Sequence, residues 1–367
     1  MNSRRRLLLP LITLTLALVF SLLLVEVMLR VTGISGPPGA ISVNESQAER
    51  LPGVFVPRRT VVNRNPARFP HRITVNSLGY RGPELSLPRG EGTTRVFFAG
   101  DSFTWGDLVH DEETLPAQVH MRLSETCPGV EAVNAGVGGT TIVGQSEMIR
   151  RGLILDPDLV VLTFYDNDIA EMSPPRFWDL MEDNRRRKST FPLSLVYSAL
   201  NSTAIWPVAR RAATRLGGMG GEGMAGKTEQ ANRTDEAWQA QMPALREEYA
   251  RYLAVIAGEL EEAGIPLVVV GYPSHLSLEA PDIYFNHSDW LEELADSLGL
   301  PFLGLIPTLM ETQLALEDLY FLPWDGHPRP IGYEVASEAV AHFLEELDPS
   351  LNWCRQRRTG RSSSPSR

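Results

Sequence analysis

Arg95-Val96-Phe97-Phe98-Ala99-Gly100-Asp101-Ser102-Phe103-Thr104-Trp105-Gly106 is the stretch whose reading decides the fold. Up to Ala99 it reads as a buried strand, since a short apolar run that stops at Gly suits a core strand of a parallel sheet. A helix is predicted from about Leu115 to Glu125. Ser102 then lies just past the carboxyl end of a central strand, where open α/β sheets handle ligands. Backbone N–H groups at such a turn can face a developing negative charge. Gly-Asp-Ser is also an ordinary Asx-type turn, so its meaning depends on what the rest of the chain brings to it.

Downstream, strands and helices alternate. Val130 to Asn134 is a short strand that ends in Ala135-Gly136-Val137-Gly138-Gly139-Thr140-Thr141. Glycines this dense let a backbone approach a ligand closely. Their spacing is not that of a dinucleotide fingerprint, and no matching acidic residue follows at the next strand end. A helix is expected from about Ile142 to Leu155, broken by Asp156-Pro157-Asp158. Leu159 to Phe164 is the clearest buried strand, and it runs into Tyr165-Asp166-Asn167-Asp168. An Asn side chain there can donate to an oxyanion. A long helix (Glu236 to Ala263), a strand (Pro266 to Gly271), a helix (Asp289 to Leu298) and a strand (Pro301 to Leu305) complete the series. Such alternation implies a parallel sheet with helices on both faces. Phe321-Leu322-Pro323-Trp324-Asp325-Gly326-His327-Pro328 then leads into a last helix ending near Leu347. An Asp two residues before a His can reach its Nδ1–H, fix the tautomer and leave Nε2 free as a base.

The ends of the chain are of another kind. Residues 1–6 are a stub with Arg4, Arg5 and Arg6, followed by an apolar run without charge from Leu7 to Val25. A bilayer-crossing helix needs about 20 apolar residues, so 7–30 is expected to be a single-pass anchor. Arginines on the near side predict a cytoplasmic N-terminus and an exported, periplasmic or extracellular body. The run is too long for a signal-peptide core and lacks an Ala-x-Ala-like site after Val25, which favours an uncleaved anchor. Residues 31–93 read as a spacer and lead-in, with Asn76 to Gly82 as a surface loop capping the sheet. Residues 173–235 interrupt the α/β rhythm and read as an insertion over the rim, and 351–367 as a disordered basic tail.

Composition excludes several partners. The 367 residues are 43% hydrophobic and 22% charged, with a net charge of −11. No basic stripe runs through the body, which argues against nucleic acid. Gly221-Glu222-Gly223-Met224-Ala225-Gly226-Lys227-Thr228 fits the Walker A pattern in its letters, but no buried strand precedes it, so no nucleotide is expected. No His-Glu-x-x-His and no cysteine pair at zinc spacing occurs. Neither a metal nor another cofactor is expected.

The strand-end sites converge on one rim: a nucleophile, a base with its orienter, and oxyanion donors, as acyl transfer requires. In this order they resemble the SGNH hydrolases, or GDSL-type esterases and lipases, over about Thr94 to Leu347, and within that family the anchored bacterial type. The resemblance implies a three-layer α/β/α flavodoxin-like fold, with a hydrolase domain over 94–350. It puts Ser102 in the nucleophile position, Asp325 and His327 in the last block, and Ser102, Gly139 and Asn167 in the oxyanion hole. Asp101, Gly138 and Asp168 are supporting. Tyr165 stands where the third block usually has Gly, and Asp-x-His replaces the more frequent Asp-x-x-His. The implied activity is a serine esterase acting on an acyl ester, such as an O-acetyl or short-chain acyl group on a carbohydrate. An O-acyltransferase acting on an envelope polysaccharide, and an anchored binding module without catalysis, are the alternatives. In a flavodoxin-like sheet the first and last helices lie side by side, which would put Cys127 and Cys354 at the same end. Two cysteines alone leave a bridge open.

Overall fold

The computed structural model describes residues 3–32, 51–55, 57–63, 69–174, 236–280 and 286–354, with isolated positions between 176 and 205. Residues 33–50, the Gly221–Thr228 segment, most of the 173–235 insertion and the tail from 355 lie outside the described residues. The chain divides into two compact units, Met1–Ala40 with Arg185–Gly223, and Ile41–Asn184 with Met224–Arg367.

In the first unit, α1 (Ser3–Thr32) is a single helix. Its Ile12–Leu29 portion is long and apolar enough to cross a membrane. Its place near the N-terminus suits an anchor and a signal sequence alike. Part of the insertion groups with it, and Ile205 N–H donates to Glu26 Oε2 at 3.0 Å.

The second unit holds a five-stranded parallel sheet. In chain order its strands are β3 (Thr94–Ala99), β4 (Val130–Asn134), β5 (Leu159–Tyr165), β6 (Leu267–Tyr272) and β7 (Phe302–Gly304). Their spatial order is β4-β3-β5-β6-β7, the doubly wound order with a switch point beside β3. Side chains alternate across the strands with period two. Phe97, Ala99, Val160, Leu162, Phe164 and Val269 face one core. Val96, Phe98, Leu159, Val161, Val268 and Val270 face the other. On the first face pack α4 (Ile142–Gly152) and α6 (Glu236–Glu262); on the second pack α3 (Leu115–Thr126) and α11 (Pro330–Leu351), with α7 (His275–Glu279), α8 (Ser288–Ser297), α9 (Ile306–Glu311) and α10 (Leu316–Leu319) between α6 and α11 in the chain. The helix after β3 does not come first: a four-residue turn of helix, α2 (Ser102–Trp105), precedes α3.

The lead-in is more than a spacer. Strands β1 (Arg59–Asn63) and β2 (His71–Val75) form an antiparallel pair, and Val54, Phe55, Ile73, Val75 and Tyr80 enter the first core. Asn76 to Gly82 is correspondingly not a surface loop. Tyr80 and Arg81 are 1% and 2% exposed, and Arg81 bridges to Asn134 at the end of β4. Its turn composition describes the backbone correctly, but the side chains of Asn76, Tyr80 and Arg81 are buried.

The domain also runs past residue 350. Trp353 and Cys354 are buried, and Cys354 is bonded to Cys127 at the C-terminal cap of α3, with a Cα–Cα distance of 6.0 Å. α3 and α11 run side by side, with Arg122 Nε donating to Ser337 Oγ at 3.1 Å, so their ends bring the two sulfurs together. The bridge closes a sequence separation of 227 residues. Replacing both cysteines by serine is expected to lower the unfolding free energy by about 2–5 kcal/mol, read from urea denaturation. An unchanged midpoint would mean that helix packing alone holds this end.

Candidate active site

The site is built where β3, β4 and β5 end. Asp101 caps α2 by accepting from Phe103 N–H at 2.9 Å, which places Ser102 at the first helical position. The β4 turn is pressed against it. A Cβ on Gly136 would run into the backbone nitrogen of Trp105, so only glycine fits there. Gly139 has φ 75°, a left-handed conformation that glycine adopts without strain. A Cβ on Gly138 would lie 3.6 Å from Ser102 Cβ and 3.9 Å from Asp107 Oδ2. Asn134 steers this turn by accepting from Gly136 N–H at 3.1 Å and donating to Trp105 O at 3.3 Å.

The loop before α11 brings in His327. His327 Nε2 lies 2.8 Å from Ser102 Oγ across 225 residues of sequence, and Nδ1 lies 2.5 Å from Asp325 Oδ1. The same Asp325 Oδ1 accepts the His327 backbone N–H at 2.9 Å. This Asx-turn is why a two-residue spacing works: the bond to the backbone folds the carboxylate back under its own imidazole. Two further contacts tie the start of α11 to the Ser102 segment and to β6. Tyr333 Oη–H donates to Phe103 O at 3.0 Å, and Tyr272 Oη–H donates to Gly332 O at 3.1 Å.

The electrostatics follow from the carboxylates. Burial pulls the His327 pKa down. The hydrogen bond to Asp325, and the charges of Asp107, Asp325 and Asp101, push it up further, to about 9. Burial also opposes the Asp325 carboxylate, but its bonds to His327 and the charge of that ring hold its pKa below the usual range. His327 is raised above its unfolded value of about 6.5. Its interactions therefore add stability that is fully present below about pH 6.5 and is lost as pH rises through about 9. Thermal unfolding across that window should show a falling midpoint on the alkaline side.

Asn167 opens a short helix, α5 (Asn167–Ala170), directly after β5, and its Nδ2 donates to Glu171 Oε1 at 3.2 Å. Asp168 points the other way, into the interior. It accepts from Gln145 Nε2 at 3.1 Å and from Tyr165 N–H at 3.3 Å, and burial raises its pKa well above the usual range. Asp101 is likewise buried, which raises its pKa to about 6 against the bond from Phe103 N–H. Tyr165 stacks on Phe103 with ring centroids 3.6 Å apart, and so packs behind the Ser102 segment.

Two residues at the site were not singled out from sequence. Asp107 Oδ2 lies 3.7 Å from His327 Nε2. Arg81 is buried, pairs with Asp111 at 2.9 Å, and donates to the carbonyls of Trp105, Gly106 and Val109 at 2.7, 2.6 and 2.7 Å. An Arg-Gly pair in a Pro- and Gly-rich stretch carries no local sign of this. Among the described residues no group of His, Cys, Asp and Glu is arranged to hold a metal ion.

No curated protein matches the chain. Among solved structures it is similar to a lipase/acylhydrolase from Enterococcus faecalis, at 13% identity over 69% of this chain and 96% of that one, with a TM-score of 0.40. It is similar to an acetylxylan esterase from Geobacillus stearothermophilus, at 16% identity over 70% and 96%, also with a TM-score of 0.40. A two-domain esterase active on acetylated mannans is 15% identical over 71% of this chain and 50% of its own length, with a TM-score of 0.40. At these values the assignment rests on the sequence profile of the GDSL-like Lipase/Acylhydrolase family, which matches residues 98–335. That span is more than half of the chain and runs from β3 into α11, so the chain belongs to the GDSL-like lipase/acylhydrolase family and is a hydrolase of ester bonds.

Proposed function

We propose that this protein is a serine esterase in which Ser102, His327 and Asp325 form the catalytic triad. The observation that carries this is the unbroken relay from Ser102 Oγ to His327 Nε2 at 2.8 Å and from Nδ1 to Asp325 Oδ1 at 2.5 Å. Nε2 takes the proton of Ser102 as Oγ attacks the ester carbonyl carbon. Asp325 accepts Nδ1–H throughout and stabilises the imidazolium. The N–H groups of Ser102 and Gly139 and the Asn167 amide hold the oxyanion. Nε2–H then protonates the leaving alcohol, and Ser102 carries the acyl group. A water gives its proton to Nε2 and attacks the acyl carbon; Nε2–H then returns a proton to Ser102 Oγ as the acyl–Oγ bond breaks and the acid leaves.

The substrate follows from the address. With α1 as an anchor and the body outside the cytoplasm, the acyl esters within reach are those of the envelope. O-acetyl and short-chain acyl groups on polysaccharide are the proposed targets. Full-length protein in detergent should hydrolyse p-nitrophenyl acetate and release acetate from O-acetylated glycan. Transfer to an added glycan in place of release to water would identify an acyltransferase instead. Asn167→Ala should lower kcat by about a hundred- to a thousand-fold, with the thermal midpoint kept. Near-normal turnover in that variant would remove Asn167 from the oxyanion hole.

A further inference from the structure

His327 faces a carboxylate at each ring nitrogen. Asp325 takes Nδ1, and Asp107 Oδ2 lies 3.7 Å from Nε2, on the side where Ser102 Oγ sits. The segment carrying Asp107 is fixed in place. Its own backbone N–H donates to Ser102 O at 3.3 Å. The carbonyls of Trp105 and Gly106 before it and of Val109 after it are all held by Arg81. The Asp107 carboxylate is 41% exposed and in contact with water. No hydrogen bond to His327 is needed for its effect, because opposite charge within about 4–6 Å already favours the protonated ring.

We propose that Asp107 is a positioning residue of this esterase: a second acidic partner of His327, on the Nε2 side, that stabilises the imidazolium formed when Ser102 gives up its proton. The proposal rests on the reading of Ser102 and His327 as nucleophile and base. The charged groups facing the ring are Asp101 and Asp107 from the nucleophile segment and Asp325 from its own loop. The Phe103 ring, 5.3 Å away, is neutral. Together the carboxylates outweigh burial and keep the ring protonated to about pH 9. Base catalysis in the free enzyme therefore becomes available on the alkaline side, and Asp107 contributes to how far.

The test is the pH profile of kcat/KM for p-nitrophenyl acetate, a neutral ester, with full-length protein in detergent. Wild type, Asp107→Asn, Asp107→Glu and Ser102→Ala are compared. Asn is isosteric with Asp and the side chain is exposed, so the fold is kept. Asp107→Asn should stay active, with its rising limb about one pH unit lower and a slightly lower plateau, because the base is weaker. That shift corresponds to about tenfold more free base at neutral pH. Asp107→Glu should return the limb toward the wild-type position. A limb in Asp107→Asn that coincides with wild type, with Ser102→Ala inactive, overturns this proposal and leaves the triad standing. An Asp107→Asn protein inactive at every pH overturns it as well. Turnover that survives in Ser102→Ala overturns the triad and, with it, the role of Asp107.

Discussion

Ser102→Ala is expected to reduce ester hydrolysis by about a million-fold, to the background of the assay, with His327→Ala close behind. The expected loss is this large because the two groups act as one unit. Without Oγ no acyl-enzyme forms, and without Nε2 at 2.8 Å the hydroxyl keeps its proton. For the same reason the double variant should be no slower than either single one, since each removes the whole nucleophile. A serine-directed phosphonate should label wild type and leave Ser102→Ala unlabelled. The hydroxyl is small and sits at the first position of α2, so thermal unfolding should change little. Turnover of Ser102→Ala within about tenfold of wild type would refute the mechanism.

Arg81→Met is expected to cost about 3–5 kcal/mol of stability, the usual cost of removing one partner of a buried ion pair. It removes the nearer cation of Asp111, leaving Arg72 at 3.9 Å, and takes the guanidinium from the carbonyls of Gly106, Val109 and Trp105, of which Trp105 O keeps the Asn134 amide. Arg81→Lys should recover little. A lysine ammonium is a single point of charge, whereas the guanidinium fork reaches a carboxylate and several carbonyls at once. Urea unfolding of the full chain would measure both. A loss under about 1 kcal/mol for Arg81→Met would show that water replaces the guanidinium. The same change should also lower kcat, because the loop that Arg81 holds begins at the nucleophile helix.

The strands were legible because their signal is local. Val96 to Ala99, Leu159 to Phe164 and Leu267 to Val270 are continuous apolar runs, as strands covered on both faces require. The Asp325–His327 bond was legible for the same reason, since an Asx-turn needs only neighbouring residues. The lead-in misled because Asn, Gly and Pro report backbone turns. They say nothing of whether Tyr80 and Arg81 between them are buried. Asp107 and Arg81 stayed hidden because their partners are distant in sequence. No spacing rule links Arg81 to Trp105, or Asp107 to His327.

By itself, then, the sequence determined the parallel α/β architecture and the apolar runs that form its strands. Periodicity and turn chemistry are written in contiguous residues, and a parallel sheet gathers its strand ends on one rim. Tertiary structure alone decided that Cys127 and Cys354 are joined across 227 residues and that a buried arginine from the lead-in clamps the nucleophile loop. It also decided that the Asp107 carboxylate lies 3.7 Å from His327 Nε2. Each of these depends on which helix packs beside which and on which side chain is driven inward, and those are set by the closing of the whole core.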